Sequence, residues 1–247
     1  FSTRRPNACY KIFRRSQCSS DNSRWEIRAI HTSCIPVNTL PYIENFDNFG
    51  NGTGAFPDCW YKLTNNGSYP YLSNSYAASG SASMYFYSYN SIYAYAILPP
   101  MDQTVTMSNL QVNFKALKTS AAYGHLEVGV MTDPTDLTTF TLIKTLDGTM
   151  YSTTNTWCDF VAYLNHYTGT GRYIAFRSPA DYSSFTYLDN VEVNVISGCG
   201  TPTNLTVSNI SGSSAFLSWH ASDLTDGTET YTIEYSPVGQ GNWQQIT

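Results

Sequence analysis

The stretch "LQVNFKAL", residues 110–117, decides the fold. Leu110, Val112, Phe114 and Ala116 take alternate positions, with Gln111, Asn113 and Lys115 between them. In an extended chain successive side chains point to opposite sides, so this period of two makes one apolar and one polar face. "HLEVGVM" (125–131) repeats the pattern: Leu126, Val128 and Val130 stand together, opposed by Glu127 and Gly129. "YIAF" (173–176) and "YLDNVEVNVI" (187–196) continue it, and Gly, Asn, Asp and Pro punctuate the runs. That is the signature of antiparallel strands with one face buried. About ten such runs fit a two-sheet, jelly-roll-like β-sandwich.

Composition agrees. Aromatics are 15% of the chain, with 20 Tyr, while charged residues are only 13%. Strands favour Tyr, Thr, Val and Phe, and no window is rich in the residues that long helices prefer. The reading is an all-β extracellular protein. The net charge of -5 is unevenly spread. Residues 1–38 hold seven Lys and Arg against Asp21 and Glu26, whereas residues 199–247 hold four acids and no Lys or Arg. The basic start lies on a strand-like segment without a binding motif, so a solvated sheet face is expected there and nucleic acid is not. No apolar run reaches the ~18 residues of a membrane span.

Two boundaries stand out. "HTSCIPVNTLPY" and "ISGCGTPTNL" each set a Cys before a Pro between strand-like runs. They divide the chain into 1–38, 39–198 and 199–247. The middle segment is long enough for a single sandwich, and the flanks are too short to close one. The chain begins at Phe1 without a leader and stops at Thr247 inside an alternating run, so a piece of a longer polypeptide is expected.

Catalytic chemistry is not evident. His31, His125, His166 and His220 lie in different segments, and none sits in a nucleophile or metalloprotease frame. Asp133 and Asp136 in "TDPTDLTTF" read as turn formers, with a short helical turn over 135–138. Zinc is not expected without a C-x-x-C or paired His. Cys59 and Cys158 are the two cysteines of the middle segment, each beside a tryptophan (Trp60, Trp157). They are expected either to lie close enough to bond or to be two buried thiols.

The flanks resemble parts of a fibronectin type III domain. Pro202, Asn204, Leu205 and Val207, then Trp219, then Tyr231, Ile233 and Tyr235 match its first three strands. "RPNACYKIFRRSQCSSDNSRWEIRAIHTSC" is similar to its last two, with Tyr10 as the corner tyrosine. On that resemblance Cys18 and Cys34 end the two strands and would pair. The middle segment resembles the MAM-like, cleaved-adhesin and choice-of-anchor jelly rolls of bacterial surface proteins. Its opening "LPYIENFDN" with "FPDCW", its hairpin "LEVGVMTDPTDLTTFTLIKTL" and its closing "GRYIAFRS" and "YLDNVEV" carry the match. The resemblance implies a secreted, noncatalytic adhesion module that binds glycan or protein. The alternative is an accessory or spacer of a secreted protease or glycoside hydrolase. It also implies structural calcium, held by Asp47 and Asp189 with help from Glu44 and Asn190, since hard oxygens suit that ion. The bland reading is that these acids only accept backbone hydrogen bonds at strand ends. Unpaired strand edges on both flanks raise the expectation that copies pair head to tail.

"SASMYFYSYNSIYAYAILPP" (81–100) supplies the candidate ligand surface. Ala82, Met84 and Phe86 share one face, and Tyr85, Tyr87 and Tyr89 the other; Ala94, Ala96 and Leu98 oppose Tyr93 and Tyr95. Asn90-Ser91 reads as the turn of a hairpin, which would place all five tyrosines on one ladder. The ladder either meets a partner or lies under a loop.

Overall fold

The protein is seen in a computed structural model that describes residues 9–15, 17, 23, 26–31, 34–89, 91–180, 183–196, 198–200, 202–224 and 229–246. It divides into two compact units, Phe1–Val195 and Ile196–Thr247. The first opens with an antiparallel hairpin of β1 (Cys9–Arg14) and β2 (Glu26–His31). A two-sheet sandwich follows, all-β as the alternation requires.

One sheet takes β4 (Tyr61–Thr64), β7 (Ala94–Ile97), β9 (Leu126–Met131), β10 (Thr141–Leu146) and β12 (Tyr173–Ser178) in the order β10-β9-β12-β7-β4. The other takes β5 (Tyr71–Ser73), β6 (Ser83–Ser88), β8 (Leu110–Lys118), β11 (Cys158–Tyr163) and β13 (Ser184–Val195) in the order β11-β8-β13-β6-β5. Short β3 (Tyr42–Glu44) adds to the far end of β13. Every ladder between these strands is antiparallel.

The apolar rows read from the sequence meet between the sheets. Leu110, Val112, Phe114 and Ala116 from β8 face Leu126, Val128 and Val130 from β9 and Ile174 and Phe176 from β12 in one buried cluster. Each large side chain removed from water there contributes about 1.5–3 kcal/mol. The expected helical turn in "TDPTDLTTF" is a 3-10 turn at Leu137–Thr139, and its N-cap Asp136 accepts the Thr138 N–H. Asp133 accepts Thr135 N–H at 2.8 Å in the same manner, so both acids build turns.

Two expectations are corrected. Residues 81–100 do not form a hairpin: β6 lies in one sheet and β7 in the other. The inward rows Met84/Phe86 and Ala94/Ala96 both belong to the core, so the chain crosses over the sandwich edge between them. Their outward rows therefore lie on opposite outer faces. The second correction concerns cysteines. Cys34 bonds Cys59, with Cα atoms 5.5 Å apart, within the usual span of a disulfide. This replaces both the Cys18–Cys34 and the Cys59–Cys158 pairings; Cys18 lies outside the described residues. Cys158 is a buried free thiol on β11, with its sulfur 3.4 Å from the Ser152 N–H. Cys59 immediately precedes Trp60 and β4, an edge strand of one sheet, while β11 edges the other sheet beside β10, at the opposite side of the sandwich.

Among its described residues the second unit holds four short strands: β14 (Thr203–Ser208) with β15 (Phe216–His220), and β16 (Ile233–Tyr235) with β17 (Gln244–Ile246). Three of these runs are legible in the sequence; β17 is an addition.

Candidate functional site

An aromatic platform occupies the outer face of the β5-β6-β13 sheet. Its register follows from strand pairing: Tyr71 and Tyr187 flank Tyr85 in one cross-strand row, and Phe185 pairs Tyr87 in the next. Adjacent strands run about 4.8 Å apart, so rings at paired positions must touch. The Tyr85 and Tyr187 rings stack at 4.4 Å, and Tyr71 meets Tyr85 edge-on at 5.7 Å. Tyr69, just before β5, stacks on Tyr87 at 4.7 Å, and Phe185 bridges Tyr87 to Tyr123.

The platform is covered at one end and open at the other. Tyr76 sits on Tyr187 at 4.9 Å, and Tyr187 is only 6% exposed. Away from this cover Tyr69, Tyr71 and Tyr87 are half-buried, while Tyr89 and Tyr123 are exposed by 42% and 40%. The segment 63–101, which supplies Tyr69, Tyr71, Tyr85 and Tyr87, contains no Asp, Glu, Lys, Arg or His. Burial raises the Tyr85 and Tyr69 phenols, with neighbouring tyrosines adding to it, so the rings are neutral.

The other two tyrosines of the sequence ladder belong to the opposite face. Tyr95 is buried under Phe140, 5.8 Å between ring centres, and its hydroxyl accepts from Arg177 Nη1 at 3.0 Å. Tyr93 packs edge-on against it. Gly129 is what admits Phe140, because a Cβ there would lie 2.3 Å from its ring. The structure thus keeps Tyr85 and Tyr87 together, leaves Tyr89 exposed just beyond β6, separates Tyr93 and Tyr95, and adds Tyr69, Tyr71, Tyr76, Tyr123, Phe185 and Tyr187. The signal for the additions was present: Phe185 and Tyr187 alternate in "SSFTYL" as Tyr85 and Tyr87 do in "SMYFYS".

Asp47, Asp189 and Asn190, three of the four residues considered for calcium, hold the loop that leads from Tyr76 into β6. Asp189 accepts the N–H groups of Ala78 (2.7 Å) and Ser79 (3.2 Å), and Asn190 accepts the Ser79 hydroxyl at 2.6 Å. Asp47 accepts the N–H groups of Ser81 (2.6 Å) and Ala82 (3.1 Å). Glu44 accepts the Phe46 N–H at 2.7 Å, which helps hold Phe46 in its left-handed backbone (φ 63°). Burial pushes the Glu44 carboxyl up to about 7, and burial also raises Asp189; the Asp47 charge adds to both. Among the described residues no three His, Cys, Asp or Glu side chains form a ready metal cage. The donor set is nevertheless all hard oxygen, the chemistry that calcium takes.

No protein-family model matches the chain, and no curated protein matches it. Among solved structures it is similar to the K2 cleaved adhesin domain of Lys-gingipain (TM-score 0.49, 16% identity, 63% of this chain and 100% of that one). The K1 cleaved adhesin domain of Lys-gingipain from Porphyromonas gingivalis W83 gives a TM-score of 0.49 at 17% identity, over 64% of this chain and 100% of its own. The CBM22-1 xylan-binding domain of Paenibacillus barcinonensis Xyn10C gives 0.41 at 9% identity, over 67% and 100%. Likeness at this level does not extend to function.

Proposed function

We propose that this is a noncatalytic extracellular binding module whose open aromatic platform takes the apolar faces of neutral glycan rings. The observation that carries the reading is the contiguous, partly open row of Tyr69, Tyr71, Tyr87, Phe185 and Tyr123 on an outer sheet face. Tyrosine offers a flat apolar surface with a polar edge that stays wet, and it loses little entropy on binding. The Cys34–Cys59 disulfide supports an oxidising, extracytoplasmic setting. The sandwich would be a MAM-like surface module, with fibronectin type III pieces on either side.

Calorimetry against neutral and acidic oligosaccharides tests this. Tyr87→Ala and Phe185→Ala should each weaken binding about tenfold or more, on the order of 1.4 kcal/mol, whereas Tyr93→Ala on the opposite face should not. Binding of a host protein with no glycan bound would overturn the sugar reading.

Calcium at Glu44, Asp47, Asp189 and Asn190 is part of the same proposal. The all-oxygen donor set, with the Asp47 charge adding to the burial that raises Glu44 and Asp189, supports a cation there. Chelation by EGTA should lower the melting temperature and added calcium restore it; an unchanged melting curve removes the ion.

A further inference from the structure

We propose that the flank of the sandwich holds a second ligand site, a cavity that takes a terminal acetamido sugar. The cavity, of about 360 Å³, opens between the edge strand β10 and the loop from β11 to β12. Small-molecule sites span about 300–1,000 Å³, so one sugar ring has room there. A β-bulge between Leu142 and Lys144 shapes the first wall, because Ile143 has no partner in β9. In a regular strand alternate residues face opposite sides, whereas the bulge lets Thr141, Leu142 and Ile143 all border one cavity. The facing wall is a tight turn, in which the Tyr167 N–H donates to the Leu164 carbonyl at 2.8 Å and His166 takes the corner.

Two donors on that second wall lack acceptors. Tyr167 is only 6% exposed, and its hydroxyl accepts the Gly171 N–H at 2.7 Å. Its own phenolic hydrogen has no acceptor among the described residues, which costs free energy until something supplies one. Gly169 lines the cavity and lets this hydroxyl approach, since a Cβ there would stand 2.5 Å from it. The Asn165 amide donates to His166 Nε2 at 3.1 Å, so the ring hydrogen sits on Nδ1, also without an acceptor among the described residues. Across the cavity Leu142 and Ile143 are apolar, and no acid, lysine or arginine is among the described residues that line it. The fitting ligand is therefore neutral, with a carbonyl oxygen for the two donors and a small apolar group for Leu142 and Ile143. An acetamido group joins both on one carbon: its oxygen accepts and its methyl packs. A plain hexose has no such methyl. An extended peptide has carbonyls, but it would add along the free edge of β10, where the bulge breaks the ladder. This flank is made by β10 and β11 and the aromatic platform by β5, β6 and β13, so neither reading depends on the other.

Two-dimensional NMR of the intact chain tests the site, with the methyl glycosides of N-acetylglucosamine and of glucose as probes. The acetamido sugar should shift the methyl signals of Leu142 and Ile143 and the amide signal of Gly169. It should bind there about tenfold or more tightly than the glucoside, which lacks the group the site reads. His166→Ala and Leu142→Ala, both at exposed positions, should each weaken it about fivefold or more and leave the melting temperature unchanged. Tyr87→Ala, on the platform, should bind it as the original does. No shift at these three residues in millimolar sugar, equal affinity for the two sugars, or undiminished binding by His166→Ala would each overturn the proposal. Shifts confined to the platform would overturn it too, while leaving the platform reading in place.

Discussion

Glu127 shows how much a single polar residue on the outer face of a strand can carry. The sequence places it opposite the core row of β9, and there it is buried between His125, 2.8 Å away, and Arg177, to which it is also paired. Burial alone would raise its carboxyl, but the hydrogen bonds from His125 and Arg177 outweigh that and hold it below the usual range. Arg177 in turn lies 3.9 Å over the Phe140 ring, so the carboxylate fixes the cover above Tyr95. A depressed folded pKa means the folded chain binds fewer protons, so the stabilisation is complete above the unfolded value of about 4.3 and fades as pH falls through the folded one. Glu127→Gln should cost about 1–3 kcal/mol at neutral pH, and the gap should close in acid. Urea titrations across that pH range check this; a gap constant into acid would show that the charge is not responsible. The sequence offered the face of Glu127 but not its partners, because Arg177 arrives from a strand fifty residues away.

The loop from Tyr76 to Ala82 links the acids to the aromatic platform. Asp47, Asp189 and Asn190 hold its backbone, and the loop carries the ring that covers Tyr187. Gly80 is essential to this close approach: its φ is 57°, and a Cβ would stand 1.8 Å from an Asp47 oxygen whose carboxylate is already held by Ser81 and Ala82. Gly80→Ala should destabilise the protein by about 1–3 kcal/mol and loosen the Tyr76 cover. Amide exchange at Ala78–Ala82, faster in the variant than in the original, is the measurement; unchanged protection would mean that Asp47 yields without cost. The hydrogen bonds of Asp47 and Asp189 are those expected of strand-end acceptors, and their positions beside one another were legible only through a family resemblance. The β6–β7 connection was misread for a related reason: Asn90-Ser91 suits a tight turn locally, yet β6 finds its neighbours in β5 and β13, and β7 in β4 and β12.

At the scale of the whole molecule the two units differ in how they are held. Phe176 is fully buried at the centre of the sandwich, against Phe114 at 5.1 Å, whereas Leu205 in the second unit is mostly exposed. Phe176→Ala should cost about 3–5 kcal/mol and Leu205→Ala less than about 0.5 kcal/mol. Differential scanning calorimetry would show the first as a large drop in the sandwich transition; comparable losses would mean that the second unit's face is already covered.

Alternation belongs to each strand alone, since it follows from backbone geometry over a few residues. The sequence therefore determined which side chains of β6, β7, β8 and β9 point inward, and with that an antiparallel all-β sandwich. It could not determine which strands become neighbours, because an inward apolar row packs equally well in either sheet. That choice is made when both sheets close on one core, and it split the tyrosines between two faces, assembled the platform from three strands, and brought Cys34 rather than Cys158 to Cys59.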